Sequence, residues 1–170
     1  MSIEIITDMS NEDYHKSEAV GKSMLDNIHK SPAHMKAAKD KIPSVAMVLG
    51  SALHCAVLEH ETFNERYIVE PDVDKRTKAG KEKYAAFVKE MEEKGNPIIL
   101  TQTQVDTINR MTDSLASHPR IKSLFDSGQA ETTIFWEENL LPCKCRPDWI
   151  INRGEFVIDL KTTSDASPEG

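Results

Sequence analysis

Cysteine is scarce in this chain: Cys55, Cys143 and Cys145 are the only three in 170 residues, a usage that fits a reducing compartment. Long apolar runs are missing too. None approaches the 18 or so residues of a membrane span, and the opening Met1-Ser2-Ile3-Glu4 has no basic region of a signal peptide. A cytoplasmic protein with no membrane partner is expected. Basic residues are outnumbered, 21 against 28 acidic, for a net charge of −7. That balance argues against a broad basic surface that reads nucleic acid tightly, but leaves room for a cleft where a few cations stand beside carboxylates that recruit metal. A phosphate loop and a dinucleotide fingerprint are absent as well. Gly21-Lys22-Ser23 lacks the upstream glycine and strand, so a nucleotide cofactor has no support. No regular repeat is visible, and a chain of this length is expected to form a single domain over residues 1–170 with one substantial core.

What the chain does have is concentrated near its carboxy end. Residues 144–151 read as one strand and 155–163 as the next, with Asn152-Arg153-Gly154 as the turn. If Arg153 and Gly154 are the loop residues, Asp148 falls directly opposite Asp159. Opposed residues have Cβ atoms about 4.5–5.5 Å apart. Two carboxylates held so close repel unless a proton or a cation intervenes. A divalent metal is the economical explanation. Lys161 shares a face with Asp159 roughly 6.5 Å along the strand, within reach of whatever the metal holds. Hard carboxylate oxygens suit Mg²⁺, with Mn²⁺ able to substitute, and such ions complete their shells with water and substrate phosphate. Two acids, a lysine and a hard cation are the minimal equipment for hydrolysing a phosphodiester. The same residues also fit an ordinary solvated hairpin face, because a D-x-K tripeptide alone is a weak signal.

Other candidates surround this pair. Residues 45–58 are nearly all apolar apart from Ser51 and His54, which reads as a helix buried on most sides. An imidazole there must be hydrogen-bonded or ligated, so His54 is either a satisfied core histidine or a third metal ligand. Glu131 precedes the strand-like residues 132–136 and is either a member of the cleft or one exposed glutamate among many. Lys144 and Arg146 take the same strand parity as Asp148 and are expected beside the metal face, facing nucleic-acid phosphates. Lys75, Arg76 and Lys78 form a second basic group, fitting either a DNA-tracking loop or a solvated helix start. Cys143 and Cys145 have one intervening residue, short of zinc-ligand spacing, and no fourth ligand, so they read as small core-facing side chains.

The two strand motifs, Pro147-Asp148 and Asp159-Leu160-Lys161, resemble the PD-(D/E)-x-K nuclease superfamily, and further positions resemble its RecB-like and RecE-like exonuclease branch. His54 within residues 50–59 looks like the helical histidine motif whose imidazole is a metal ligand there. Glu131 looks like the glutamate that opens the first core strand, and Ser31-Pro32-Ala33-His34 like the turn of the opening helices. Residues 72–81 resemble the basic loop of RecE-type domains. The resemblance implies an α/β (α+β) fold with a restriction-endonuclease-like core, a mixed sheet flanked by helices. It also implies Mg²⁺-dependent exonucleolytic cleavage of double-stranded DNA in phage-type recombination, a single-strand annealing partner and a homo-oligomer. Asp148, Asp159, Lys161 and Glu131 would be catalytic, and His54, Asp148 and Asp159 would hold the metal. The branch typically continues into a helix with a Q-x-x-x-Y motif, which is missing before Gly170, so a domain incomplete at its carboxy terminus is expected. The alternatives are an endonuclease of the same superfamily and a catalytically incomplete DNA-binding module.

Local signals order the rest. Short helices are expected over residues 17–27 and 32–39, a long one from Pro43-Ser44 to about 61, an extended segment over 63–69 and an amphipathic helix over 78–94. Thr101 with Gln104 marks a capped helix start, the helix running toward Ser117. His118-Pro119 breaks it before a turn of helix over 120–125, and three antiparallel strands follow Gly128.

Overall fold

The computed structural model describes residues 3–38, 42–125, 127–151, 154–163, 165 and 167, with residue 122 described by its backbone alone. In chain order these form β1 (Ile3–Ile6), α1 (Asn11–Lys16), α2 (Lys22–Lys30), α3 (Pro32–Ala37), α4 (Val45–Leu58), α5 (His60–Arg66), β2 (Tyr67–Val69) and α6 (Lys78–Glu93). They continue as β3 (Ile98–Leu100), α7 (Gln102–Ser117), α8 (Pro119–Phe125), β4 (Gln129–Ala130), β5 (Thr133–Glu138), β6 (Leu141–Cys145), β7 (Trp149–Ile151) and β8 (Phe156–Ile158). The class is α+β. Among the described residues no helix is long and apolar enough to cross a membrane. Two compact units account for these elements, Leu49–Pro119 and the combination of Met1–Val48 with Arg120–Gly170.

The Leu49–Pro119 unit is mainly helical. Its two short strands, β2 and β3, pair in parallel (Tyr67↔Ile98, Val69↔Leu100), and α6 supplies the crossover that parallel pairing requires. Thr77 caps α6 through Gly80 N–H at 3.0 Å. A Cβ on Gly80 would sit 1.9 Å from the Asp74 carbonyl, so only glycine lets the loop close on the helix. Thr101 and Gln104 form the expected capping box at α7, their reciprocal bonds 3.2 and 2.8 Å long. Leu53, Leu100 and Ile108 are almost wholly buried, each contributing about 1.5–3 kcal/mol by the usual area rule. Residues 63–66, expected as extended chain, are helical, and Arg66 reaches back to Glu59 through two bonds of 2.8 and 3.1 Å. Along α4 only the later turns are buried. Ala52, Leu53, Cys55 and Leu58 are covered, whereas Val45 and Met47 are exposed, so the expectation of a helix buried on most sides holds for half its length.

The other unit contains two antiparallel three-stranded sheets, in the orders β1-β5-β6 and β4-β7-β8. The first is built on the β5–β6 hairpin, whose two-residue turn places Asn139 and Leu140 at φ 51° and 66°, the primed turn that suits strand twist. β1 adds to its other edge, Ile3 opposite Trp136 and Ile6 opposite Thr133. Val20 makes a parallel bridge to Cys143. Its amide and carbonyl bond Pro142 O at 2.8 Å and Lys144 N at 2.9 Å, tying the chain after α1 to β6.

The expected continuous strand over 144–151 is two strands in two sheets. β6 ends at Cys145 and β7 begins at Trp149. Pro147, which has no N–H to offer a ladder, lies in the break, and it is also where the chain turns from β5 to the partners of β7. The hairpin register itself is as expected: Trp149↔Ile158, Ile150↔Val157 and Ile151↔Phe156. The expected turn at 152–154 lies partly outside the described residues, as does most of the polar stretch from 164 onward.

Candidate metal centre

The carboxylates are positioned by backbone close to the strand break. Gly128 lets β4 approach β7: a Cβ there would lie 2.4 Å from Trp149 Nε1 and 2.5 Å from the Ile150 carbonyl. Two residues past β4 pairing begins, Glu131 adopts φ 47°, a left-handed conformation that costs a non-glycine residue about 1–2 kcal/mol. Its N–H donates to the Asp148 carbonyl at 3.0 Å. The side chains of the two residues follow their backbones, and each offers a carboxylate oxygen within 4.8 Å of the other's.

Asp148 also binds the hairpin's second arm. Its Oδ2 accepts the Leu160 N–H at 2.6 Å, which fixes the carboxylate across the end of the β7–β8 ladder. Extended by one residue, the ladder register sets Asp148 opposite Asp159. The ordered pairing stops just short of that pair. Asp159 and Lys161 lie on the described stretch beyond β8, largely exposed, and form their own ion pair at 2.5 Å. Asp159 does not share the close approach of Glu131 and Asp148. His54 belongs to the Leu49–Pro119 unit, in the covered half of α4, and is itself partly exposed.

Lys144 and Arg146 are not presented to solvent. Lys144 is 7% exposed, and its ammonium donates to the carbonyls of Tyr14 at 2.6 Å and Ser17 at 2.9 Å, satisfying the carboxy end of α1 as cations do. Burial pulls its pKa below the usual lysine value. The Arg146 side chain is 8% exposed. Its Nε donates to Glu131 O at 2.9 Å and lies 3.5 Å from the Glu131 carboxylate, while its other nitrogens donate to Met9 O and, at 3.4 Å, Asn11 Oδ1. The guanidinium stands 5.2 Å from the centre of the Tyr14 ring. These bonds direct both cations to the protein's own carbonyls instead of an incoming phosphate. A face shared with Asp148 requires one unbroken strand, and the break at Pro147 between β6 and β7 interrupts it.

Sequence reasoning missed the amino-terminal partners altogether. The carbonyls of Met9, Tyr14 and Ser17 are more than 120 residues from the cations they bind, and a carbonyl carries no side-chain signature. The surroundings also perturb neighbouring groups. Burial raises the Tyr14 hydroxyl, with Cys145 adding to it, and burial alone raises the Cys145 thiol. Burial, then the charges of Lys144 and Arg146, lowers His15. Cys143 and Cys145 are both partly covered. In the helical unit Lys75 bonds Glu70 at 2.6 Å and lies 3.8 Å from the Tyr84 ring centre, Arg76 bonds Asp74 at 2.9 Å, and Lys78 opens α6.

An adjacent carboxylate pair of this kind fits a hard divalent cation, which would relieve the repulsion that proximity creates. No curated protein matches the chain. A family profile described as a PDDEXK-like domain of unknown function (DUF3799) matches residues 21–170, which include Asp148, Asp159 and Lys161. Since that match covers most of its length, the chain belongs to this PDDEXK-like family, whose fold is of nuclease type.

Proposed function

We propose that the protein is a divalent-metal-dependent deoxyribonuclease, with Mg²⁺ as the natural ion and Mn²⁺ as a substitute. The observation that carries this reading is the approach of the Glu131 and Asp148 carboxylates to within 4.8 Å, beside a hairpin whose register faces Asp148 with Asp159. On this reading Asp148 and Asp159 would hold the ion and Glu131 would add charge beside Asp148. Bound there, the ion lowers the pKa of a coordinated water and offsets charge on the phosphate. Lys161, which stands 2.5 Å from the Asp159 carboxylate, would orient the attacking water or balance the developing oxyanion through its ammonium. The scissile P–O bond would break as the water oxygen bonds phosphorus, the water giving up a proton to solvent and the leaving oxygen taking one from it.

Resemblance to the RecE-like branch makes the reaction exonucleolytic on double-stranded DNA, in phage-type recombination with an annealing partner and a homo-oligomeric enzyme. The exposed pairs of Lys75 and Arg76 are weak enough to exchange for backbone phosphates, with Lys78 beside them. Linear and covalently closed circular duplexes, incubated with Mg²⁺ or Mn²⁺, test the assignment. Linear DNA should be degraded and circles spared, and Asp148→Asn or Asp159→Asn should reduce both cleavage and Mn²⁺ affinity by at least about a hundredfold, the top of the range for changes merely adjacent to a metal ligand. Equal cutting of circles makes it an endonuclease. DNA binding without any cleavage makes it a binding module.

A further inference from the structure

We propose that Arg146 is a positioning residue, clamping Glu131 in its left-handed backbone conformation so that its carboxylate is aimed beside that of Asp148. The proposal rests on the reading of Asp148 as a cation ligand with the Glu131 carboxylate adding charge beside it. A glutamate at φ 47° stays there only when its surroundings over-determine it. Both flanks of Glu131 are pinned: its N–H by Asp148 O at 3.0 Å, its carbonyl by Arg146 Nε at 2.9 Å. The same Nε stands 3.5 Å from the Glu131 carboxylate, so one group fixes both the peptide and the side chain.

Arg146 is itself held. Met9 O and Asn11 Oδ1 accept from its terminal nitrogens and the Tyr14 ring lies against the guanidinium. A planar fork can span Glu131, Met9 and Asn11 together, whereas an ammonium is a point charge on a flexible stem and cannot. Released from the clamp, Glu131 relaxes toward an extended backbone and its carboxylate leaves Asp148.

The sign of the effect separates geometry from charge. Removing a positive charge near a cation site would by itself tighten cation binding, whereas loss of the clamp weakens it. Mn²⁺ affinity of the full chain, measured by calorimetry for wild type, Arg146→Met, Arg146→Lys, Glu131→Gln and the Glu131→Gln/Arg146→Met double variant, provides the test, with near-ultraviolet circular dichroism reporting folding. Arg146→Met and Arg146→Lys should each bind Mn²⁺ at least tenfold more weakly than wild type. The double variant should bind no more weakly than Glu131→Gln, because Arg146 acts through that carboxylate. Wild-type affinity in either single Arg146 variant overturns the proposal, as does an Arg146→Met effect that persists in full on the Glu131→Gln background. Should Arg146→Met fail to fold, Arg146→Lys carries the comparison. Absence of Mn²⁺ binding by wild type overturns the metal-site reading and this inference together, whereas wild-type binding indifferent to Arg146 overturns this inference alone.

Discussion

Two buried cations separated by one residue mark the amino-terminal side of the acidic pair. Lys144 and Arg146 are stabilised almost entirely by main-chain oxygens, an arrangement that satisfies their donors without cancelling their charge by carboxylates, Glu131 excepted. Their fields fall on His15, which is already disfavoured as imidazolium by partial burial. A histidine whose folded pKa lies below the unfolded value of about 6.5 stabilises the fold fully above that pH and less as pH falls through the folded pKa, because the unfolded chain takes the proton first. Urea denaturation at pH 7.5 and pH 5 should therefore reveal a larger acid loss of stability in wild type than in His15→Gln. Matching losses would mean that the imidazole does not titrate differently on folding.

At the scale of elements, the β5–β6 hairpin carries a defect that can be corrected. Leu140 occupies the second central position of a primed turn at φ 66° and is 88% exposed, so its side chain gains nothing from burial while its backbone is strained. Leu140→Gly should stabilise the fold by about 0.5–1 kcal/mol, the left-handed penalty less the entropy cost of glycine. A lowered denaturation midpoint would contradict this account. The helices α6 and α7 were legible from sequence because caps and apolar spacing are local: Thr101 and Gln104 lie three apart, and Tyr84, Phe87, Val88 and Met91 recur on one face. The β7–β8 register was legible for the same reason, since a tight turn dictates pairing. By contrast β1, α1 and β3 are three to six residues long, and β1 and β3 are defined by partners far along the chain. The acidic pair was half legible. Asp148 was placed by the hairpin, whereas the approach of Glu131 depends on a left-handed backbone and on Gly128, neither of which follows from residue types in order.

For the molecule as a whole, a net charge of −7 combines with the internal placement of Lys144 and Arg146 and the pairing of Lys75 and Arg76 with carboxylates. A duplex should thus be held through few phosphate contacts, and the slope of log affinity against log salt should be shallower than about −4, fewer than five neutralised phosphates. Fluorescence anisotropy across a salt series, in Ca²⁺ to suppress cleavage, would measure it; a slope near −8 would require a basic surface that the pairings described here do not provide. Apart from Glu131 O, the carbonyls that satisfy Lys144 and Arg146 belong to residues 9–17, upstream of the matched span that opens at residue 21. A fragment trimmed to that span would lose β1, strip the Lys144 ammonium of the Tyr14 and Ser17 carbonyls, and leave Arg146 with Glu131 but without Met9 and Asn11. Its poor recovery from expression would reflect the cut, and not any instability of the nuclease-type fold.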